Sequence, residues 1–207
     1  MYKSCLKRTI DIALSAIGLV LLALPMLAVA AVVKLDSKGP VFFWQKRVGL
    51  HKNTFMMPKF RTMYIDTPAN MPTHMLNDPQ KWITNSGAWL RKFSLDELPQ
   101  ILNILAGQMS IIGPRPALWN QYDLIAERDK YGANDILPGL TGWAQINGRD
   151  ELPIEIKAAY DGEYVKRMSF LFDCKCFFGT IACVLKKDGV VEGGTGTIAQ
   201  KELHRHG

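Results

Sequence analysis

A run of 22 residues without a charged side chain, from Ile12 to Val33, restricts the fold of this chain more than any other feature. At about 1.5 Å of rise per residue, a straight helix of that length would cross the roughly 30 Å hydrocarbon core of a bilayer. The run is longer than the apolar part of a secretory signal, and no typical cleavage site follows it. We therefore expect a segment that is embedded in a membrane.

Pro25 and the flanking charges predict how this segment meets the membrane. The proline removes a backbone hydrogen bond inside the run and leaves arms of 13 and 8 residues, each too short to cross. Basic side chains flank both ends: Lys3, Lys7, Arg8, Lys34, Lys38, Lys46 and Arg47. Such charges mark the cytoplasmic side of a membrane, so both ends of the run are expected on that side. We therefore expect residues 1–36 to form a re-entrant helix-break-helix. A proline-kinked spanning helix is the alternative.

Composition narrows the class of partner without choosing one. The net charge of +6 and the pI near 9.1 favour an anionic partner, such as nucleic acid, an acidic membrane surface or a phosphorylated substrate. The basic residues do not form one dense patch with interleaved aromatic residues, so a nucleic-acid-binding protein is the weaker interpretation. The four cysteines are too few for a disulfide scaffold and lack zinc-site spacing, which predicts reduced thiols.

The rest of the chain predicts an α+β, mostly helical domain over residues 37–190, followed by a flexible tail over residues 191–207. β-prone runs at 41–44, 55–57 and 60–63, the last two on either side of Pro58, predict a hairpin whose second strand is broken at the proline. The cations of this hairpin form either a solvated face or a surface that binds phosphate or membrane. They are Lys46, Arg47, Lys52, Lys59 and Arg61.

Residues 170–185 carry apolar side chains near helical spacing, which fits a helix at a membrane interface or in the core. We expect most of the five tryptophans to lie in the core.

The segment from Ser94 to Leu105 contains two adjacent acids, Asp96 and Glu97. Its apolar residues recur at the spacing of an amphipathic helix: Leu98, Ile101, Leu102 and Leu105. Ser94 followed by Glu97 matches a capping box, so helix capping is the more ready explanation of the acids. The alternative rests on Arg91 and Lys92 just upstream. Cations at a helix start form a phosphate-binding environment, where the acids could serve as nucleophile or magnesium ligand.

Two further segments present an arginine from a constrained backbone. Arg115 stands between Pro114 and Pro116, and Arg149 follows the turn-forming pair Asn147-Gly148. Rigid loops of this kind suit an arginine that binds phosphate in a bidentate manner. For either arginine alone, a structural salt bridge is the commoner explanation.

Seven ordered motifs together resemble the bacterial sugar transferase family, the monotopic phosphoglycosyl transferases that start glycan assembly on a polyprenyl phosphate. They are KRTIDI, the apolar run, KFRTM, LRKFSLDELPQILN, MSIIGPRP, PGLTGWAQINGR and YVKRMSFLFD. The similarity extends from Lys7 to about Lys187, nearly the whole chain. Two positions depart from the family pattern. Leu24 replaces the usual serine before the breaking proline, and Gln108 replaces a common acid before Met-Ser.

The resemblance implies a two-step transfer. An aspartate attacks the sugar-linked phosphorus of a UDP-sugar and releases UMP, and undecaprenyl phosphate then takes the phosphosugar from the aspartate. It implies Asp96 as nucleophile and Glu97 as the neighbour that assists acceptor deprotonation or metal binding. Magnesium is the implied cofactor, held by Asp96 or Glu97.

The resemblance also implies the remaining site residues and the setting. Phosphate-binding roles fall to Lys59, Arg91, Arg115 and Arg149, and a supporting role to Asp173. The expected location is the cytoplasmic face of a bacterial plasma membrane, in contact with membrane lipid and without nucleic acid. A homodimer is compatible with the sequence. A membrane-bound scaffold without activity is the alternative from another class, and the presence of the acids and arginines counts against it.

Overall fold

The computed structural model describes residues 2–67, 79–148 and 152–186, and confirms a mostly helical α+β fold. The α-helices are α1 (Lys7–Asp36), α2 (Asn85–Lys92), α3 (Ile101–Leu105), α4 (Tyr122–Asp129), α5 (Trp143–Ile146), α6 (Ile154–Arg167) and α7 (Phe170–Lys186). The strands are β1 (Phe42–Val48), β2 (Thr54–Phe60), β3 (Ser110–Ile112) and β4 (Gly139–Thr141). β1 pairs with β2 antiparallel, and β3 pairs with β4 parallel. The predicted tail over 191–207 lies outside the described residues, and the predicted domain boundaries stay predictions.

Helix α1 contains the whole apolar run. Its helical conformation continues through Pro25, so the expected break does not divide the run into two helices. Proline removes one backbone hydrogen bond. The apolar side chains around it offer the backbone no other hydrogen-bond partner, so the neighbouring residues keep their helical bonds. Among the described residues, α1 is the one helix long and apolar enough to cross a membrane.

Both ends of α1 are fixed to the same globular body. Near its start, Lys7 donates to the Asp173 carboxylate at 2.6 Å, and Asp11 accepts from the Ser110 hydroxyl at 2.8 Å. At its end, the Asp36 carboxylate accepts from the main chain and side chain of Ser86, at 3.0 and 2.7 Å. Exposed apolar side chains occupy the middle: Ile17, Val20, Leu21, Leu24 and Leu27. The helix is therefore held to the body at both ends, it contacts α3 near Gly18, and it exposes an apolar face along its middle.

Arg61 binds the carboxyl end of α1, which corrects its assignment to a basic surface. Its guanidinium donates to the carbonyls of Val33, Ser37, Lys38 and Pro40 and to the Ser37 hydroxyl. The side chain is 6% exposed. A cation at this end satisfies carbonyls that have no partner in the helix and opposes the negative end of its dipole.

Replacing Arg61 with methionine should destabilise the protein by about 3 kcal/mol or more, since one buried and three partly buried carbonyls lose their donor. Thermal unfolding in detergent measures this as a lower apparent melting temperature. The matched control is Lys38→Met, which removes an exposed cation from the same segment. Equal melting temperatures for the two variants would show that Arg61 does not stabilise the end of α1.

The hairpin is confirmed, but its second strand is continuous. β2 runs through Pro58, which lies opposite Trp44 in the register. A two-stranded sheet leaves outward-facing positions on both strands, where a proline needs no ladder hydrogen bond. The predicted break at Pro58 was therefore wrong.

Three glycines bring β3 and β4 into close contact. A Cβ on Gly139 would lie 2.1 Å from the Gly113 nitrogen, and one on Gly142 would lie 2.1 Å from the Gly113 oxygen. Gly113 donates to the Thr141 carbonyl at 2.8 Å, and Gly139 donates to the Pro114 carbonyl at 2.8 Å. This packing fixes the start of the loop that carries Arg115.

Helix α7 confirms the predicted helix and turns most of its aromatic side chains outward. Phe172 and Cys176 pack into a buried cluster, whereas Phe170, Phe177 and Phe178 are exposed.

The expectation that most tryptophans are core residues was wrong. Exposed positions are Trp44, Trp89 and Trp119, and partly buried positions are Trp82 and Trp143. The four cysteines are free, as predicted.

Candidate active site

The acidic pair lies on a 3-10 helix, Leu95–Gln100, and not on the predicted amphipathic α-helix. Ser94, before it, has a left-handed backbone with φ of 55° and makes no side-chain capping hydrogen bond. The capping explanation was therefore wrong. Pro99 and the turn at Ser94 restrict the segment, and α3 begins only at Ile101. Leu102, expected on the buried face, is exposed.

Glu97 is bonded to two cations that come from distant parts of the chain. Lys59, on β2, donates to Glu97 Oε1 at 2.8 Å. Arg115 binds both carboxylate oxygens, with Nη1 to Oε2 at 3.1 Å and Nη2 to Oε1 at 2.5 Å. Burial of Glu97 acts to raise its pKa, but Arg115 and Lys59 outweigh that effect and hold the pKa well below its usual range. Glu97 is thus a fixed negative charge.

The pKa of Asp96 is shifted in the opposite direction to that of Glu97. It is 8% exposed, and burial raises the pKa of its carboxyl above the usual value. The positive charge of Lys59 lowers that pKa, the negative charge of Glu97 raises it, and Arg91 and Arg115 lower it. The described hydrogen bonds of Lys59 and Arg115 end on Glu97, not on Asp96. Two adjacent carboxyls with pKa values shifted in opposite directions are suited to different tasks.

The structure brings together five of the predicted site residues. Lys59, Arg91 and Arg115 line one cleft with Asp96 and Glu97. Arg91 reaches it from α2, where its Nε donates to the Thr62 hydroxyl at 2.7 Å. Among the residues that the structure describes, three cations thus surround two carboxylates, an arrangement that suits a phosphate ligand.

The other predicted residues lie elsewhere. Asp173 accepts from Tyr2, Lys7 and Tyr164, at 2.5, 2.6 and 2.8 Å. Burial and the nearby Asp173 charge raise the pKa values of both tyrosines. This cluster joins the start of α1 to α6 and α7. The supporting role of Asp173 stays a prediction. Arg149 lies outside the described residues, and Pro25 is inside α1.

The cleft has a volume of about 1010 Å³ and two kinds of lining. Around the acids it is polar and basic. Towards the long helices it is apolar, with α1 contributing Leu14, Leu21 and Leu22, and α7 contributing Phe177 and Ile181. The site therefore suits a ligand that carries phosphate at one part and hydrocarbon at another.

Several polar residues of the cleft were not predicted from the sequence. Among them are Arg128, Lys157 and Gln145 of α5. Arg128 forms a buried ion pair with Asp161 at 2.6 Å. Gln145 stands inside the quoted motif PGLTGWAQINGR, but its role depends on which way α5 faces, and that is set by tertiary packing.

The predicted magnesium can be tested against the donor set. The described residues contain no cluster of three or more His, Cys, Asp or Glu side chains that could hold a metal ion. Asp96 and Glu97 offer two carboxylates, and both oxygens of Glu97 already bind cations. Mg²⁺ is commonly held by one or two carboxylates completed by phosphate oxygens and water. The residues therefore fit an ion that is shared with a phosphate ligand.

Comparison with known proteins decides the family. The model of the family described as "Bacterial sugar transferase" matches residues 2–187. The chain belongs to this family. The match includes the acidic pair, Lys59, Arg91, Arg115 and α1.

The family includes similar proteins of two sizes. The chain is 40% identical to the uncharacterized sugar transferase EpsL of Bacillus subtilis, covering 89% of this chain and 90% of EpsL. It is 35% identical to the exopolysaccharide production protein ExoY of Rhizobium meliloti, covering 88% and 87%. It is 40% identical to the UDP-glucose:undecaprenyl-phosphate glucose-1-phosphate transferase of Escherichia coli, covering 85% of this chain but 39% of that longer protein.

Proposed function

We propose that this protein is a phosphoglycosyl transferase that moves a phosphosugar from a UDP-sugar to undecaprenyl phosphate and releases UMP. The observation that carries the proposal is the unequal acidic pair. Glu97 is fixed by Lys59 and Arg115, whereas the neighbouring Asp96 faces the cleft without those bonds. Similar proteins named for transfer to undecaprenyl phosphate support the choice of acceptor.

In the first step, a carboxylate oxygen of Asp96 attacks the phosphorus that carries the sugar. The bond from this phosphorus to the bridging oxygen of the diphosphate breaks, and UMP leaves with that oxygen. A phosphosugar ester of Asp96 remains. Because Asp96 is largely buried, we expect water to have limited access to this ester, which favours transfer to the lipid over hydrolysis.

In the second step, an oxygen of undecaprenyl phosphate attacks the same phosphorus, and the Asp96 carboxylate is released. A phosphate monoester is largely ionised near neutral pH, so the acceptor needs little help from a base. Glu97, with its lowered pKa, is a poor proton acceptor. Its role in this proposal is to position Lys59 and Arg115 against phosphate oxygens, not to deprotonate the acceptor.

The cations lower the repulsion between a carboxylate and a diphosphate. Arg115 offers a planar pair of donors, and Arg91, oriented by Thr62, offers a second guanidinium. Asp96, with Glu97 beside it, would hold Mg²⁺ against the diphosphate. When bound, the ion would neutralise charge that develops on the phosphate oxygens.

The position of α1 supports attachment to one face of a membrane. A straight spanning helix carries one end away from a globular body, but both ends of α1 are bonded to it, at Asp173 and at Ser86. The exposed side chains between those ends and the exposed aromatic side chains of α7 would enter lipid. We infer a re-entrant, monotopic arrangement on the cytoplasmic face of the plasma membrane, with the cleft at the depth of lipid phosphate.

A donor panel tests the proposed function. Detergent-purified protein is incubated with Mg²⁺ and UDP-sugars, with and without undecaprenyl phosphate, while UMP is measured. We expect UMP release that depends on one donor and increases with the lipid. Absence of UMP with nucleotide sugars extracted from the native cells would contradict the proposal.

The raised pKa of Asp96 gives a prediction for the pH dependence of activity. The ionised carboxylate is the nucleophile, so activity falls as the pH decreases through this raised pKa. In Lys59→Met, the charge that most lowers this pKa is lost. The acid limb of the kcat/KM profile should therefore move to higher pH.

The control for this profile is Lys130→Met, which removes an exposed lysine paired with Glu127. Its acid limb should coincide with that of the wild type. An unmoved or lower limb in Lys59→Met would show that Asp96 is not the group that titrates.

A further inference from the structure

Gln145 is a buried amide without a partner. Its residue is 7% exposed, and within the described part of the chain neither Nε2 nor Oε1 makes a hydrogen bond. A buried donor and acceptor left unsatisfied are costly, and each calls for an explanation. Gln145 also lines the cleft that contains Asp96. Its unused donor and acceptor are therefore available to a ligand.

The position of Gln145 relates it to the phosphate-binding side chains. Gly142, at the start of α5, packs against Gly113, and Gln145 Oε1 lies 3.2 Å from the position of a Cβ on Gly142. Arg115 follows Gly113 by two residues, on the loop fixed by the bond from Gly139 to Pro114. Gln145, on α5 three residues after Gly142, and Arg115, two residues after Gly113, therefore follow two backbone segments that are in close contact. A ligand whose phosphate binds Arg115 would have its next groups near this amide.

We propose that Gln145 reads the uracil base of the donor nucleotide. This inference rests on the proposed function, which supplies a uridine diphosphate donor. Uracil presents an N3–H donor beside a carbonyl acceptor, and a carboxamide presents the complementary acceptor and donor. Such paired contacts between an amide side chain and a base edge are a common means of base recognition. One bound base would satisfy both unused atoms of Gln145.

The cleft that Gln145 lines also suits a flat base attached to a charged chain. Leu124 and Leu140 contribute apolar surface to this cleft, and Lys157 contributes a cation. Apolar contacts cover the faces of a base, while its edge needs hydrogen bonds that the surrounding apolar groups cannot give. The amide is the group that can supply them.

The test compares UMP with 3-methyl-UMP, whose N3 carries a methyl group in place of the proton. Equilibrium binding is measured on the full chain in detergent, for the wild type, Gln145→Met and the exposed control Gln80→Met. We expect wild type and control to bind UMP about 10-fold or more tightly than the methylated nucleotide. Gln145→Met should bind UMP more weakly and should discriminate little between the two.

Ribose 5-phosphate, which has no base, separates loss of base recognition from loss of folding. Its affinity should be equal in wild type and Gln145→Met. If the substitution weakens the binding of ribose 5-phosphate as much as the binding of UMP, Gln145 does not act on the base. If the variant keeps the wild-type ratio between UMP and 3-methyl-UMP, the inference is wrong while the proposed function stands. If wild type binds no UMP, both are wrong.

Discussion

Replacing Asp96 with asparagine should reduce UMP release by a factor on the order of 10⁴ or more. An amide keeps the size of the carboxyl group but lacks the negative oxygen that would attack phosphorus. The neighbouring Glu97 cannot replace it, since Lys59 and Arg115 occupy both of its oxygens. The loss should appear in the presence and absence of undecaprenyl phosphate, because the first step needs no acceptor.

Asp123→Asn is the matched control for this substitution. Asp123 is exposed on α4, so the same chemical change there should leave activity at the wild-type level. Thermal unfolding of both variants reports whether the fold is intact. Substantial UMP release by a folded Asp96→Asn protein would exclude covalent catalysis at this residue.

Arg115→Lys should lower kcat/KM by about 100-fold, although it keeps the positive charge. The arginine binds both oxygens of Glu97 with one planar group, and its loop is fixed by Gly113 and Pro114. A lysine reaches the same region as a single point of charge and cannot maintain this geometry while it contacts a phosphate. Steady-state kinetics with the identified donor measures the effect.

The conservative change is controlled at Arg167, an exposed residue of α6 that pairs with Glu163. Arg167→Lys should leave kcat/KM within a few-fold of the wild type. If Arg115→Lys also remains within that range, charge alone is sufficient at this position. The proposed bidentate binding by the Arg115 guanidinium would then be wrong.

Five of the residues predicted from the sequence line one cleft, but the sequence did not predict the geometry that distinguishes the two acids. Asp96 and Glu97 are adjacent in the chain, and nothing local tells which of them is bonded to cations. That difference comes from Lys59 on β2 and Arg115 after β3, which reach Glu97 through tertiary folding. The local pattern at Ser94 pointed to a capping box, but Ser94 adopts a left-handed backbone and caps nothing.

The fold was predictable where a long pattern determines it and less so where a single polar side chain does. The apolar run predicted α1, and the aromatic spacing predicted α7. Arg61 looked like one more surface cation of the hairpin, and only the packed structure shows it bound to the end of α1. The tryptophans were misplaced because the type of side chain alone does not tell a buried aromatic residue from an exposed one.

The most direct test of the proposed mechanism is the intact mass of the protein after reaction with its UDP-sugar in the absence of undecaprenyl phosphate. The proposal predicts a mass increase equal to one phosphosugar, located on the peptide that contains Asp96. This adduct should disappear when undecaprenyl phosphate is added, and it should be absent from Asp96→Asn. Turnover to the lipid product with no adduct at any time, and UMP release only when both substrates are present, would contradict the mechanism and indicate direct displacement.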